Sequence, residues 1–473
     1  MSFIIGANSA VAGGFAIDNS CMFNGSADFL KKDRAGMSTA TNQKKFTIST
    51  WVKRSELGDA GMLWSSYHNA TNYLHFQFQD SDAIKFKDFT GSTRAEYITT
   101  RLFRDVSAFY HILLNVDTTD GTAGDRQQIW INGVRETAFG TSSSYSINTV
   151  PEQGTTDIDM FVGREGGGAD YYNGYLAQNV FIDGLALEPD SFGEFDADSG
   201  IWKPIGVSGL TFGANGYFLN FEDSANLGND ANGGTDFAET GLAAINQATD
   251  TPTNNFATLN PLIPSQGGFT PGSATFTEGA TIFTTVNASG SYSRGNATML
   301  LSSGKWYTEI KYVNSGTVYG LIGVTGSNPT SVAAYPGVYA YDYAWYGNGS
   351  GGNFYNNNGI AAYLGAGYAN NDILGMAIDL DSGTKTIQYY KNGSAVSSAQ
   401  TIVDPATTDM SGYCITIGEW SSSTDATFEV NFGNPPYTIS SGNADDNGYG
   451  NFEYAPPSGF LAMCTKNLSE VLS

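Results

Sequence analysis

Hydrophobic and polar residues alternate regularly in the stretch 372–393. Every second position in its first half is large and apolar: Leu374, Met376, Ile378 and Leu380. This spacing is that of one face of a β-strand. An Asp-Ser-Gly turn follows, and a second alternating run through Ile387 and Tyr389 ends at the hairpin dipeptide Asn392-Gly393. The pattern predicts two strands closed by turns, with the four apolar residues in a buried core.

The same succession of short alternating runs and turns occupies much of the first third of the chain. The runs cover residues 44–54, 73–80, 84–89, 109–117 and 126–136. The last run again contains an Asn-Gly dipeptide, Asn132-Gly133. No helical periodicity extends beyond a few turns, although residues 239–247 could form a short helix. We therefore predict an all-β protein with two antiparallel β-sandwiches.

The amino-acid composition of the chain changes between these two strand-rich regions. Residues 206–268 are rich in Asn, Asp, Gly and Thr, and Pro252, Pro261 and Pro264 interrupt any regular element. Several aromatic residues in this segment would be poor choices for a free linker. The predicted domains are therefore 1–205 and 269–473, with 206–268 as an irregular connector packed on them.

Composition and charge narrow the possible partners. The 473 residues include 58 glycines and carry a formal net charge of −24. Few Lys, Arg and Glu residues are available for long helices, so strands and turns are favoured. A nucleic-acid partner requires a basic surface, and an anionic membrane would repel this chain. The first fifteen residues resemble neither a signal peptide nor a membrane span. We expect no nucleic-acid partner and no membrane insertion.

Cysteine and histidine give little indication of a metal or disulfide framework. Cys21, Cys414 and Cys464 are far apart and odd in number. Neither zinc-ligand spacing nor a set of paired cysteines is present. The three histidines are scattered along the sequence: His68, His75 and His111. We expect assembly in a reducing cytoplasm and no cofactor.

Several motifs resemble those of known β-sandwich families. The strand FTISTWVKR, the hairpin IWINGVRE and the closing run at 171–189 are similar to a laminin-G-type, concanavalin A-like lectin domain. Motifs at 303–313, 320–326, 372–393 and 428–437 occur in the order found in SPRY (B30.2-like) domains, which are also concanavalin-like jelly rolls. The segments 189–204 and 250–261 resemble parts of tailed-bacteriophage virion proteins.

These resemblances imply a virion structural protein, a tail-fibre, head-fibre or spike-like appendage that displays carbohydrate- or receptor-binding sandwiches for host attachment. The implied partners are other virion proteins and a host surface glycan or receptor. Such an appendage would be assembled in the host cytoplasm and exposed on the particle surface, as a homo-oligomer, with a trimer favoured. One alternative is a capsid or tail decoration or adaptor protein without glycan recognition, and another is a polysaccharide depolymerase.

The stretch at the start of the chain, residues 1–15, is mildly apolar and interrupted by glycines. Two interpretations of it remain open. It could dock on the virion or on a sister subunit, or it could be the first edge strand of its own sandwich.

A depolymerase would require two carboxylates placed on either side of a glycosidic bond. Glu194, Asp196 and Asp198 alternate as such residues could. However, glycoside hydrolases of the concanavalin-like fold carry two glutamates there, and the second is absent. The segment also lies among Pro, Gly and Ser after the closing strand. We therefore expect a solvated loop and a protein that is not an enzyme.

Laminin-G domains often hold calcium through Asp side chains at one loop end, so the resemblance raises the possibility of a calcium site. Asp117, Asp120 and Asp125 lie in a suitable acidic loop. The alternative is an exposed turn in which these side chains cap backbone amides.

The segment 333–359 holds the richest set of candidate ligand-binding residues. Its aromatic residues are interspersed with Gly and Asn, and the candidates are Tyr335, Tyr341, Trp345, Tyr346, Phe354 and Tyr355. Sugars stack their C–H faces on aromatic rings, while Asn and Asp hydrogen-bond the hydroxyls. Alternation of the aromatic residues could equally mean that one strand face packs inward. We expect some of these rings to be core and others to be presented to a ligand.

Overall fold

A computed structural model describes residues 14–33, 39–155, 158–262, 274–285, 292–314, 316–326, 335–348, 351–420 and 425–471. Most of the first fifteen residues, for which docking and a first edge strand were both considered, lie outside these ranges. The described residues divide into an N-terminal unit, which ends at Asn255, and a C-terminal unit, which begins at Phe256. Both units are built almost entirely of strands, which confirms the predicted all-β class.

The N-terminal unit contains eighteen strands. They are β1 (Ser20–Asn24), β2 (Phe29–Lys32), β3 (Lys45–Arg54), β4 (Gly61–Asn69), β5 (Asn72–Phe78), β6 (Ala83–Thr90), β7 (Thr93–Leu102), β8 (Tyr110–Asp117), β9 (Gln127–Ile131), β10 (Val134–Arg135), β11 (Phe139–Ser143), β12 (Asp159–Val162), β13 (Asn173–Asp183), β14 (Gly193–Phe195), β15 (Trp202–Pro204), β16 (Tyr217–Leu219), β17 (Ala238–Thr240) and β18 (Gln247–Ala248). Single 3-10 turns occur at Ala123–Asp125, Glu152–Gly154, Pro189–Ser191 and Ala244–Asn246.

The C-terminal unit contains fifteen strands and one short α-helix. They are β19 (Thr275–Thr277), β20 (Ile282–Thr284), β21 (Tyr292–Asn296), β22 (Lys305–Asn314), β23 (Gly320–Gly326), β24 (Asp342–Tyr346), β25 (Asn353–Asn356), β26 (Gly359–Tyr363), β27 (Ile373–Asp379), β28 (Thr386–Lys391), β29 (Ser394–Ala395), β30 (Gln400–Thr401), β31 (Tyr413–Trp420), β32 (Ala426–Asn431), β33 (Leu461–Ala462) and α1 (Thr465–Val471). A 3-10 turn lies at Pro405–Thr407.

Two sheets form the sandwich of the N-terminal unit. Sheet 1 has the order β10-β9-β8-β3-β13-β1-β18, with β16 also paired to β13, and sheet 2 has the order β11-β7-β6-β5-β4-β12-β2-β17. Their facing sides enclose one large apolar cluster that includes Phe46, Trp64, Phe76 and Leu114. Alternating residues of each strand supply this core, because successive side chains of a strand point to opposite faces.

The predicted connector 206–268 contributes three short strands to these sheets. β16, β17 and β18 pair with β13, β2 and β1 respectively. The segment 239–247 is not the short helix that the sequence suggested. Its residues belong to the end of β17, a 3-10 turn and the start of β18, since backbone pairing with β2 and β1 offers these groups partners outside the segment.

Two sheets also form the sandwich of the C-terminal unit. Sheet 3 has the order β19-β20-β32-β22-β27-β28-β29, with β30 on β28 and β33 parallel to β22, and sheet 4 has the order β21-β31-β23-β24-β25-β26. The predicted core residues on β27 and just after it, Leu374, Met376, Ile378 and Leu380, are all buried between the sheets, which confirms the prediction.

Both predicted Asn-Gly hairpins are present. Asn132 and Gly133 join β9 to β10 with φ values of 49° and 74°, and Asn392 and Gly393 join β28 to β29 with φ values of 48° and 79°. Two successive residues with positive φ match the twist of antiparallel strands, which is why Asn-Gly is favoured in two-residue hairpin loops. At both places the turn residues and the alternation of the flanking strands therefore predict the same hairpin.

Candidate functional site

The aromatic residues of 333–359 are divided between the two faces of sheet 4. β24 and β25 are antiparallel neighbours, in which Ala344 lies opposite Tyr355 and Trp345 lies opposite Phe354. Trp345 and Phe354 therefore share the inner face, whereas Tyr346 and Tyr355 lie on the outer one. Alternation along the strands therefore sends two of the six predicted binding residues into the core.

Trp345 and Phe354 are core residues, which corrects the expectation that their rings face a ligand. The Trp345 side chain is 0% exposed, and its ring meets that of Tyr368 edge to face at a centroid distance of 4.8 Å. Phe354 stacks on Tyr343 at 5.9 Å and is also buried. Neither ring offers a face to solvent, because the sheet 3 side of the sandwich covers both.

The outer face of sheet 4 carries a cluster of six aromatic side chains. This outer aromatic cluster consists of Tyr292, Tyr319, Tyr335, Tyr346, Tyr355 and Trp420. Tyr335 stacks on Trp420 with a centroid distance of 5.3 Å and an interplanar angle of 20°. Tyr346 and Tyr355 meet edge to face at 5.7 Å. Tyr335 and Tyr346 are buried at the centre, and the other four rings are half-buried around them.

Amide side chains line the border of this cluster. The Tyr335 hydroxyl donates a hydrogen bond to Asn358 Oδ1 over 2.8 Å, and Asn348 Nδ2 donates to the Tyr346 hydroxyl over 3.0 Å. Burial raises the pKa of Tyr346 to about 12, so its hydroxyl stays protonated at neutral pH. The cluster thus combines apolar ring surface with neutral donors and acceptors.

Two exposed tyrosines lie outside the cluster. Tyr341, one of the predicted residues, is 40% exposed just before β24 and lies near Tyr343 and Tyr413 of the inner core. Tyr363, at the end of the edge strand β26, is 75% exposed and was missed by sequence reasoning. Its position at a sheet edge depends on the strand order, which the sequence does not display.

The acidic loop between β8 and β9 does not gather its carboxylates into one site. Asp117 Oδ2 lies 2.6 Å from Lys45 Nζ, Asp120 Oδ1 accepts from the backbone amide of Thr122, and Asp125 pairs with Arg135. The amide caps formed by Asp117 and Asp120 are those of the alternative to calcium binding, and the ion pairs with Lys45 and Arg135 were not predicted. Within the described ranges no group of three or more His, Cys, Asp or Glu side chains could hold a metal ion.

The three alternating carboxylates lie on and after the hairpin strand β14. Lys203 Nζ sits between two of them, 3.2 Å from Glu194 Oε1 and 3.3 Å from Asp196 Oδ2. Hydrogen bonds from Ser199 are the main reason that the pKa of Asp196 is lowered to about 2. Asp198 is exposed in the turn that follows. A carboxylate held ionised in this way is a poor proton donor to a leaving group.

A buried Ser–His contact also lacks the geometry of an activated nucleophile. Ser49 Oγ lies 2.8 Å from His111 Nε2, and Trp202 Nε1 donates to His111 Nδ1 over 3.1 Å. Burial lowers the pKa of His111 to about 3, so the ring is neutral. Because Nδ1 accepts from Trp202, the ring proton is on Nε2, and the imidazole donates to Ser49 instead of accepting its proton.

Among the described residues, the cysteines form no disulfide and the helices include no membrane span. Cys21, Cys414 and Cys464 are all buried, and no disulfide joins them. In the described ranges, no helix is both long and apolar enough to cross a membrane.

Comparison with known proteins identifies the fold of the N-terminal unit. Residues 25–190 match a family model described as the concanavalin A-like lectin/glucanases superfamily. The search of curated proteins found no match. Both units are antiparallel β-sandwiches, and the family match covers only the N-terminal one.

Several solved structures are similar to parts of the chain. A human SPRY domain is 20% identical, with 33% of this chain and 94% of that chain covered and a TM-score of 0.25. A protein from Bacteroides ovatus, titled a putative carbohydrate binding protein, is 14% identical, with 48% of this chain covered and a TM-score of 0.34. This chain spans 60% of that protein's length. A SAP-like pentraxin from Limulus polyphemus is 14% identical over 36% of this chain and 78% of its own, with a TM-score of 0.28.

Proposed function

We propose that the protein is a non-catalytic glycan-binding protein and that the outer aromatic cluster of the C-terminal unit is its carbohydrate surface. The observation that carries the proposal is the group of four half-buried rings beside amide side chains on a solvent-facing sheet. The lectin-family match of residues 25–190 supports the same general activity for the protein.

The chemistry of the cluster suits an uncharged sugar. The C–H groups of a pyranose pack on aromatic ring surface, and its hydroxyls exchange hydrogen bonds with amides and phenol groups. Tyr335 and Tyr346 hold the outer rings in place, because they contact Trp420 and Tyr355 from below. A surface that is already packed loses little conformational entropy when a ligand binds.

Trp420 is the ring whose removal should weaken glycan binding most clearly. It ends β31, is half-buried, and contacts both central tyrosines of the cluster, Tyr335 and Tyr346. Loss of one stacking contact is worth about 1 kcal/mol, so Trp420→Ala should lower affinity roughly fivefold. Affinity electrophoresis in gels that contain neutral polysaccharides would measure the change in mobility.

Two further variants make this test specific. Trp420→Phe keeps a ring at the position and should keep most of the binding. Tyr341→Ala removes an exposed ring that lies near Tyr343 and Tyr413 of the inner core, away from the cluster, and should leave binding unchanged. Equal losses in Trp420→Ala and Tyr341→Ala would contradict the assignment of binding to the cluster.

We further propose that the protein is part of a bacteriophage particle and attaches it to a host surface glycan. The resemblance of residues 189–204 and 250–261 to virion proteins supports this proposal. Assembly in the host cytoplasm, exposure on the particle, contact with other virion proteins and a homotrimeric state belong to the same proposal. The remaining candidate is a decoration or adaptor role on the capsid or tail, which would need no glycan.

Purified particles provide the test of the virion proposal. Mass spectrometry of gradient-purified particles should detect the chain in a constant ratio to the major capsid protein, and antibodies against it should reduce adsorption to host cells. Detection on particles with no effect of antibodies on adsorption would favour the decoration role. Absence from purified particles would contradict both roles.

A further inference from the structure

The backbone of Arg164 is held in place at the start of the hairpin that follows β12. Its backbone carbonyl accepts a hydrogen bond from the buried Ser65 hydroxyl over 3.1 Å. The preceding Gly163 has φ of +86°, and a Cβ there would lie 2.6 Å from the Phe23 ring. Gly163 therefore lets the chain turn tightly against the core, which determines where the Arg164 side chain begins.

The guanidinium group of Arg164 lies on three aromatic rings. Its central carbon is 3.8 Å from the ring centroid of Phe29, 5.1 Å from that of Phe161 and 5.8 Å from that of Tyr171. Phe29 and Phe161 are buried, and Tyr171 is half-buried beside them. We call these four residues the arginine–aromatic stack. Contact with aromatic faces holds the planar cation in one orientation.

Among the described residues, no carboxylate lies within ion-pair distance of this guanidinium, in contrast to several other arginines of the unit. Arg54, Arg94 and Arg135 each pair with a carboxylate at 3.2 Å or less. The Arg164 guanidinium forms neither a hydrogen bond nor an ion pair with the described part of the chain, and its Nε is buried without a partner. The residue as a whole is half-buried, so the side chain still borders solvent.

Two charged groups lie near the stack. Glu165, the next residue, has its Oε1 3.6 Å from Nε2 of His75, whose ring is neutral because burial lowers its pKa to about 3. Burial raises the pKa of Glu165, and the nearby Arg164 charge partly opposes that effect. Lys31, which lies 5.7 Å from the Phe161 ring, pairs with Asp33 and with Asp159. Among the described residues Arg164 forms no ion pair with any of these groups, so its guanidinium can still donate hydrogen bonds to a carboxylate of a ligand.

We propose that the arginine–aromatic stack binds the carboxylate of an acidic saccharide, a hexuronate unit. Two parallel N–H donors of a guanidinium match the two oxygens of a carboxylate, and such charge-assisted pairs are the strong ones among hydrogen bonds. The half-buried ring of Tyr171 lies beside the cation, where the C–H groups of the sugar could pack on it.

A saccharide is favoured over an acidic peptide because the whole stack lies within residues 25–190, the segment that matches the lectin family. The site goes beyond the function proposed above, since it is in the other unit and takes a charged ligand. The net charge of −24 opposes approach of a long polyanion at low salt, so a monosaccharide is the appropriate probe.

Titration of the full chain with sodium D-glucuronate, D-glucose and L-glutamate, followed by ligand-observed NMR, tests the proposal. Wild type should bind glucuronate at least tenfold more tightly than glucose, and also more tightly than glutamate. In Arg164→Gln the preference for glucuronate over glucose should disappear. Arg164→Lys keeps the charge but not the paired donors, and should retain part of the preference.

Arg101→Gln is the matched control. Arg101 is exposed and lies 5.1 Å from the Phe103 ring, so its removal takes away the same charge from another aromatic contact. It should leave glucuronate binding unchanged, and the melting temperatures of all variants verify that they fold.

Equal affinity of wild type for glucuronate and glucose, an unchanged preference in Arg164→Gln, or an equal loss in Arg101→Gln would overturn the proposal. Glutamate binding as tight as glucuronate would overturn its saccharide part. Trp420→Ala should not alter glucuronate binding, which separates this site from the outer aromatic cluster.

Discussion

Asp342→Ala is expected to lower the free energy of unfolding of the C-terminal unit by about 3–5 kcal/mol. Asp342 accepts from both Nη atoms of Arg294, over 2.9 and 3.2 Å, and both side chains are almost fully buried on the outer face of sheet 4. The Thr325 hydroxyl donates to the same carboxylate. Removal of the carboxylate leaves a guanidinium charge inside the protein without its partner, and urea unfolding of the purified chain would measure the cost.

Glu429→Ala is the control for this variant. Glu429 pairs with Lys311 at 2.8 Å between strands of sheet 3, but both side chains are partly exposed to solvent. Such pairs contribute only about 0–1 kcal/mol, because water and salt screen them. Similar small losses in the two variants would show that the Arg294–Asp342 pair is not buried in solution as described. Replacing Arg294 and Asp342 together by apolar residues should recover part of the loss.

Trp345→Ala should likewise destabilise the C-terminal unit, by about 3–5 kcal/mol. The indole is fully buried, donates from Nε1 to the Ala366 carbonyl over 3.2 Å, and contacts the rings of Tyr368 and Tyr389. Truncation removes a large apolar side chain, leaves a cavity and takes the donor away from the Ala366 carbonyl. The shift of the urea midpoint would report the loss.

Tyr355→Ala provides the comparison from the outer face. Tyr355 is half-buried on the neighbouring strand, so its truncation should cost only about 1 kcal/mol while it weakens glycan binding. The two substitutions thus separate a core ring from a presented ring within one short segment. A folded and fully stable Trp345→Ala protein with impaired glycan binding would contradict the division of the aromatic residues between the two faces.

The strands were predictable because their pattern is local. Alternation in 372–393 identified β27, β28 and the core residues on β27 and just after it, and Asn-Gly identified two hairpins. Sheet membership was not predictable in the same way. The pairing of β16, β17 and β18 with strands from the start and end of the N-terminal sandwich depends on contacts between distant residues, and no short-range signal encodes it.

The candidate binding residues show the same limit. Alternation implies that Trp345 and Tyr346 lie on opposite faces, but it does not say which face is covered by the second sheet. Tyr292 and Trp420 join the outer aromatic cluster because β21, β31, β23 and β24 are neighbours in sheet 4. No sequence pattern identified Arg164 as a candidate binding residue. Its role depends on Phe29, which reaches it only because β2 pairs with β12.

Glycan binding itself is most directly tested by screening the intact protein on an array that includes neutral and uronate-containing oligosaccharides. We expect binding to at least one neutral glycan class, reduced about fivefold in Trp420→Ala by loss of one stacking contact and retained in Tyr341→Ala. A folded wild-type protein that binds no neutral glycan, under conditions where a control lectin does, would contradict the proposed function.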